Sequence, residues 1–175
     1  DCESLQDVKF GSFSMAENAD VSNLFDDCTS LTNVDLTGLN TENASGMSEV
    51  FNGCRALKDI TFGDFDTSNA TTMKGMFEDC SSLKKATIQG NIQALEPRTF
   101  YMCVELTQVA LPASLTSIGD YAFPGVPSPF NVMIRNDGNV YLVTEHDVYG
   151  RHKTISFMGR EFVEVEDKPK KKKKA

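Results

Sequence analysis

Apolar residues return along this chain at a fixed, long interval, separated by stretches rich in Asp, Asn, Ser and Thr. Cys2, Cys28, Cys54, Cys80 and Cys103 lie 26, 26, 26 and 23 residues apart. Three residues after each stands a leucine: Leu5, Leu31, Leu57, Leu83 and Leu106. Three further on come Val8, Val34, Ile60, Ala86 and Val109, and two beyond those Phe10, Leu36, Phe62, Ile88 and Leu111. From the second copy on, a phenylalanine precedes each cysteine by three: Phe25, Phe51, Phe77 and Phe100. Five columns in one register define a repeat, and a period in this range is the signature of stacked coils. Each copy reads Cys-x-x-Leu-x-x-Val-x-Leu, and its closing alternation puts two side chains on one face of a short strand. Such a strand cannot bury its apolar face alone. Parallel stacking gives it neighbours and sets like residues above like at the strand spacing of about 4.7–4.9 Å.

Between the strands, Val21/Leu24/Phe25, Met47/Val50/Phe51 and Met73/Met76/Phe77 fall at i, i+3, i+4. That spacing predicts one or two helical turns on the convex side, apolar stripe inward. Polar segments such as Asp66-Thr67-Ser68-Asn69 precede them and suit turns and helix caps. The interval shortens to 23 between Phe77, Phe100 and Phe123, so the convex arc is trimmed while the strand motif survives. A degenerate sixth copy follows, with Val126, Pro129, Val132 and Ile134 in the successive columns; proline in the leucine column marks the end of the array. Asn136-Asp137-Gly138-Asn139, between the apolar residues at 132–134 and 140–143, signals a hairpin. Residues 154–158 and 161–165 read as further strands, with Phe162, Val163 and Val165 leaving one side apolar. The expected architecture is an α/β repeat solenoid over residues 1–135, with short parallel strands on the concave face and helical turns on the convex face. A small β-rich C-terminal cap over 136–167 and a basic tail over 168–175 complete it.

These columns resemble the BspA-type leucine-rich repeats of bacterial surface proteins. Met47…Val50-Phe51…Cys54…Leu57…Ile60…Phe62, running on through Phe65-Asp66-Thr67-Ser68-Asn69-Ala70-Thr71-Thr72-Met73, is similar to the longer flavour of that repeat, and residues 103–123 to the shorter. The resemblance covers about residues 1–135. It implies a leucine-rich-repeat fold, extracellular display on a bacterial cell, adhesion to proteins of a host or a neighbouring cell, and no catalysis. Because Asp1-Cys2 begins in mid-repeat, further repeats upstream are expected.

Charge narrows the choice of partners. The formal net charge is −8, but Lys168 and Lys170 to Lys174 contribute +6, so residues 1–167 carry −14. An acidic body argues against a nucleic-acid reader, which needs a basic face, and against adhesion to anionic lipid. No apolar run approaches the roughly 18–20 residues of a membrane span. The lysine tail, after the acidic residues 164–167, reads as a disordered linker or cut end, with binding to an anionic polymer or lipid, or imitation of a nuclear-import signal, as the alternatives.

The candidate chemistry is sparse. The cysteines have no CxxC pair, which removes zinc-ribbon readings. Stacking brings them within disulfide range of one another, yet they share inward columns and Val126 replaces one of them. They read as reduced, inaccessible core thiols. His146 and His152 have no third ligand at metal spacing and no adjacent nucleophile, and no carboxylates are paired for acid–base work. No cofactor and no metal is expected. Asn43-Ala44-Ser45 and Asn69-Ala70-Thr71 are formal glycosylation sequons that the repeat itself generates.

What remains is the outward face of the strands. One column reads Asp7, Asn33, Asp59, Lys85, Gln108 and Asn131, and the next Lys9, Asp35, Thr61, Thr87, Ala110 and Met133; Thr37, Gly63 and Gln89 extend it. On the concave side of a leucine-rich repeat these are the candidate binding residues, above all Asp7, Lys9, Asn33, Asp35, Asp59, Thr61, Lys85, Thr87, Gln108 and Asn131. The partner implied is a protein, with host extracellular-matrix and plasma proteins as the candidates. The face lacks the aromatics and arginines of interface hot spots, so the competing reading of it is a solvated surface. Two other functions compete with adhesion: a stalk displaying other domains, and an enzyme built in the cap around His146.

Overall fold

The architecture is that of a computed structural model. It describes residues 2–112 apart from 63, 64, 89–91 and 93, and beyond them 114, 115, 117, 118, 122, 123, 131–136 and 139–143; of Thr61, 117–118, 131–136 and 139–143 the backbone alone is described. Val126, Pro129, His146, His152, the strands expected at 154–158 and 161–165, and the lysine tail lie outside these residues.

In chain order the strands are β1 (Asp7–Lys9), β2 (Phe13–Ser14), β3 (Ala19–Asp20), β4 (Asn33–Asp35), β5 (Leu39–Asn40), β6 (Ala44–Gly46), β7 (Asp59–Thr61), β8 (Lys85–Thr87), β9 (Ala94–Leu95), β10 (Gln108–Pro112), β11 (Ser117–Ile118), β12 (Asn131–Asn136) and β13 (Asn139–Val143). The Val-x-Leu segments stack in parallel as β1–β4–β7 and β8–β10–β12. Val8, Val34 and Ile60 are register partners in the first ladder, and Ala86, Val109 and Val132 in the second. The columns of the repeat are thus the registers of the sheets. β13 folds back antiparallel on β12, pairing Val132 with Val143 and Asn136 with Asn139, as the hairpin signal predicts. Shorter parallel ladders, β2–β5, β3–β6 and β9–β11, run beside the main ones. The core lies inside the coil: Leu31, Leu57, Leu83, Leu106, Phe51, Phe77 and Phe100 are fully buried.

The convex arcs differ from expectation. Among the described residues there is no helix; residues 22–27, 48–53, 74–79 and 97–102 are successive turns. The reason lies in where their amides go. Val21, Asn23, Phe25 and Asp27 donate to the carbonyls of Gly46, Ser48, Val50 and Asn52 in the next coil at 2.8–3.0 Å, while Leu24, Asp26 and Cys28 donate three residues back. The second arc repeats the alternation with Met47, Glu49, Phe51 and Gly53, and the third with Gly75, Phe77 and Asp79. An α-helix needs each of these amides for its own i−4 carbonyl. Here every second one is committed to the neighbouring coil, which satisfies the backbone equally well. Closing such turns takes left-handed residues at two positions per arc. Asn23, Glu49, Gly75 and Arg98 have φ of 59°, 56°, 62° and 64°; Asp27, Gly53, Asp79 and Met102 have 51°, 70°, 58° and 59°. A type II turn demands positive φ at its third residue. Gly53 has a second constraint, since a Cβ there would meet the Asp27 carboxylate at 2.2 Å. The turns also rotate Leu24 out of the expected inward stripe, leaving it 41% exposed.

Two side-chain ladders tie the coils together. Phe25, Phe51, Phe77, Phe100 and Phe123 stack with centroids 5.3–5.4 Å apart and planes within 2–11° of parallel. Each of the first three carbonyls in that column uses both lone pairs. Phe25 O accepts the Cys28 amide and the Cys54 thiol, Phe51 O the Cys54 amide and the Cys80 thiol, and Phe77 O the Cys80 amide and the Cys103 thiol, with all three thiol contacts at 3.1 Å. The cysteine column is therefore a set of weak donors stitching each coil to its neighbour. Cys2 departs from the expectation of inaccessible thiols: it is exposed, on the first coil, whereas Cys28, Cys54, Cys80 and Cys103 are buried and free.

Burial pushes the thiols up, Cys54 to about 12 and Cys80 and Cys103 well above their ordinary value. Native protein should therefore show one fast-reacting thiol and unfolded protein five. Stability should also fall as pH rises above about 9, the ordinary thiol value. There the unfolded thiols lose protons that the buried ones retain, so stability declines by about 1.4 kcal/mol per pH unit for each such thiol. Urea midpoints between about pH 8 and 10.5 should show a shallower decline for Cys80→Ala than for wild type. Equal slopes would contradict the buried-thiol ladder.

Candidate functional site

The strand ladders present their alternate side chains outward, and the sequence-predicted columns come together there. Asp7, Asn33 and Asp59 are register partners on β1, β4 and β7, with Lys9, Asp35 and Thr61 beside them. Lys85, Gln108 and Asn131 are partners on β8, β10 and β12. Asp7, Lys9, Asn33, Asp59, Lys85 and Thr87 are exposed, and Asp35 and Gln108 half-buried. Ala110, in the same outward column, is buried, so the polar face narrows at the fifth coil. The first and second ladders meet between β7 and β8, where the Lys84 amide reaches the Lys58 carbonyl at 3.4 Å. This sets Asp59 and Lys85 on adjacent coils, one in each ladder. Gly63 and Gln89 lie outside the described residues.

Electrostatics order part of this face. Asn33 Nδ2 donates to Asp7 Oδ1 at 2.9 Å, and Lys9 Nζ lies 3.7 Å from Asp35 Oδ2. Hydrogen bonds from Thr37, first its hydroxyl and then its amide, hold the Asp35 carboxyl below the usual range, with Lys9 adding to the effect. The face thus runs from the acidic Asp7 and Asp59 to the basic Lys85, with polar groups rather than rings at its centre.

Two features beyond the strands escape the column pattern. The first is a pair of asparagine staples at the sequons: Asn69 Nδ2 donates to the Glu42 carbonyl at 2.6 Å and Asn43 Nδ2 to the Met15 carbonyl at 3.4 Å. Both asparagines are exposed, but their amides serve the preceding coil. The second is the junction of long and short coils. Val21 and Met47 donate their amides to the Gly46 and Thr72 carbonyls of the next coil. Met73, in the same column, donates to the Glu96 carboxylate instead. The following coil is three residues shorter, and a side chain stands where backbone stood before. Ser68, Ala70, Thr71, Thr72, Met73, Ile92, Ala94 and Glu96 line an open cleft of about 230 Å³ there. The signal for it in the sequence is the change of interval from 26 to 23.

Parallel strand ladders, inward leucine columns and a period of 26 or 23 residues make this a leucine-rich-repeat solenoid. The BspA-type leucine-rich-repeat region matches in six copies over residues 1–128. The chain belongs to that family. It is also similar to the crystal structure, at 1.80 Å resolution, of a leucine-rich cell surface protein from Faecalibacterium prausnitzii A2-165, with 21% identity and a TM-score of 0.44 over 69% of this chain. The match spans 39% of that protein's structure. No curated protein matches this chain. Among the described residues, no helix is long and apolar enough to cross a membrane.

Proposed function

We propose that this chain is a non-catalytic recognition module that works at a bacterial cell surface and engages a protein through the outward face of its strands. One observation carries the reading: Asp7, Asn33, Asp59 and Lys85 stand exposed in one column over successive coils, with Lys9 and Thr87 exposed in the next, while Leu31, Leu57, Leu83 and Leu106 turn inward. A surface of this kind is rigid before it meets a partner, so little ordering is needed on binding. Its contacts are charges and amides rather than aromatic anchors, which points to modest affinity per module and to gains from repetition across linked copies. Host extracellular-matrix and plasma proteins are the partner class to which the family resemblance leads.

Capture on immobilised protein tests the reading. At least one matrix or plasma protein should be retained reproducibly, its retention weakening as salt screens the charged face. Retention of none, or turnover of a substrate, would overturn it.

A further inference from the structure

We propose that the cleft between the third and fourth coils takes the side chain of a lysine presented by a partner protein, with Glu96 as the counter-charge. The proposal rests on the reading of the chain as a protein-binding module and adds a second contact for the partner, off the strand face.

Among the described residues, the cleft is a wall of acceptors. The Ser68 hydroxyl gives its proton to Asp66 Oδ1 at 2.5 Å, and the Thr71 hydroxyl to the Ser45 carbonyl at 3.1 Å. The Thr72 hydroxyl donates to Glu96 Oε2 at 2.8 Å, with Ser48 Oγ 2.9 Å behind it. Glu96 Oε2 also accepts the Met73 amide. What these groups still offer is hydroxyl lone pairs and the second carboxylate oxygen, Oε1, to which no donor among the described residues is bonded. Arg98, two residues from Glu96, is engaged elsewhere: Nε donates to Glu78 Oε2 at 2.9 Å and the guanidinium lies 4.4 Å from the Tyr101 ring centroid; Lys74, beside Met73, is exposed on the arc.

A ligand for such a wall must bring donors and positive charge. An ammonium has three donors and no acceptor. The other described lining residues are apolar: Ala70 and Ala94, with Met73 and Ile92 buried at 3% and 5% exposure. Those surfaces suit an alkyl stem behind a charged head, as a lysine has. A volume of about 230 Å³ accommodates one such side chain. A carboxylate or phosphate ligand would meet Glu96 with like charge.

The test is an NMR titration with Nα-acetyl-lysine methylamide, and with the same compound acetylated on Nε. The charged probe should give saturable shifts at the amides of Thr71, Thr72, Met73 and Ala94, and the neutral one should bind at least tenfold more weakly. Glu96→Gln keeps an acceptor for Thr72 and Met73, so its melting temperature should hold while affinity falls about tenfold, the loss of one charge-assisted contact. Ala94→Leu, which fills the cleft from an exposed position, should abolish binding. No saturable shift in the wild type, equal binding of the two probes, or full affinity in Glu96→Gln would each overturn the proposal. No partner protein enters the titration. Its failure leaves the strand-face reading untouched, and failure to capture a partner leaves its result standing.

Discussion

Leu83→Asp should cost about 4 kcal/mol or more, enough to unfold a domain of ordinary stability. Leu83 is fully buried between Leu57 and Leu106, themselves fully buried in the same column. Its amide is held to the Cys80 carbonyl at 3.0 Å, so the side chain cannot swing to solvent without breaking the turn that starts the strand. A carboxylate there meets apolar carbon from its own coil and from both neighbours, with no donor to receive it. Thr87→Asp, four residues on in the same coil, puts the same charge at an exposed position on β8 and should shift stability by no more than about 0.5 kcal/mol. Denaturant midpoints followed by circular dichroism decide the matter. Comparable losses in the two variants would place the strand in the opposite register.

Phe77→Ala should cost about 3–5 kcal/mol, the range for removing a buried ring and leaving a cavity. Phe77 stacks between Phe51 and Phe100 at 5.4 and 5.3 Å and meets Phe62 edge-on at 6.1 Å. The effect is amplified by position. Each coil in a solenoid contacts only its neighbours, so a weakened central coil uncouples the two halves. Phe77→Leu, which retains most of the apolar volume, should lose less than half as much. A loss below about 1 kcal/mol for the alanine variant, measured by the same midpoints, would show that the phenyl stack contributes little.

How much of this was legible in the sequence follows from which interactions leave a mark on residue type. The inward columns did, because a ladder of buried positions favours apolar side chains, as at Leu31, Leu57, Leu83 and Leu106. The outward columns followed from strand alternation, and the register partners Asp7–Asn33–Asp59 needed only the period. The arcs are ambiguous, because Val21/Leu24/Phe25 spacing is produced by a helix and by stacked turns alike. What separates the two is the partner of each amide, a contact some 25 residues away. A partial signal existed in the recurrence of Asn, Asp and Gly at Asn23, Gly75, Asp27, Gly53 and Asp79, residues that tolerate positive φ. Glu49, Arg98 and Met102 occupy the same positions without that tolerance and hide the column. The cleft at Glu96 leaves only the change of interval from 26 to 23 as its trace in the sequence. It arises from a difference in length between two adjacent coils, and no single residue type announces a gap.

The dissociation constant of a captured partner, measured for three versions of the chain, tests the strand-face reading most directly. One is wild type. The second reverses charge on the face, Asp59→Lys with Lys85→Glu, and the third reverses charge at two exposed positions off it and outside the cleft, Glu17→Lys with Arg55→Glu. All three should fold alike by circular dichroism, because exposed charges contribute little to stability. The face variant should bind at least tenfold more weakly, since the potential met by the partner is inverted there, and the off-face variant should bind as wild type does. Unchanged binding by the face variant, with loss in the off-face variant, would move the site to the arcs and contradict the reading.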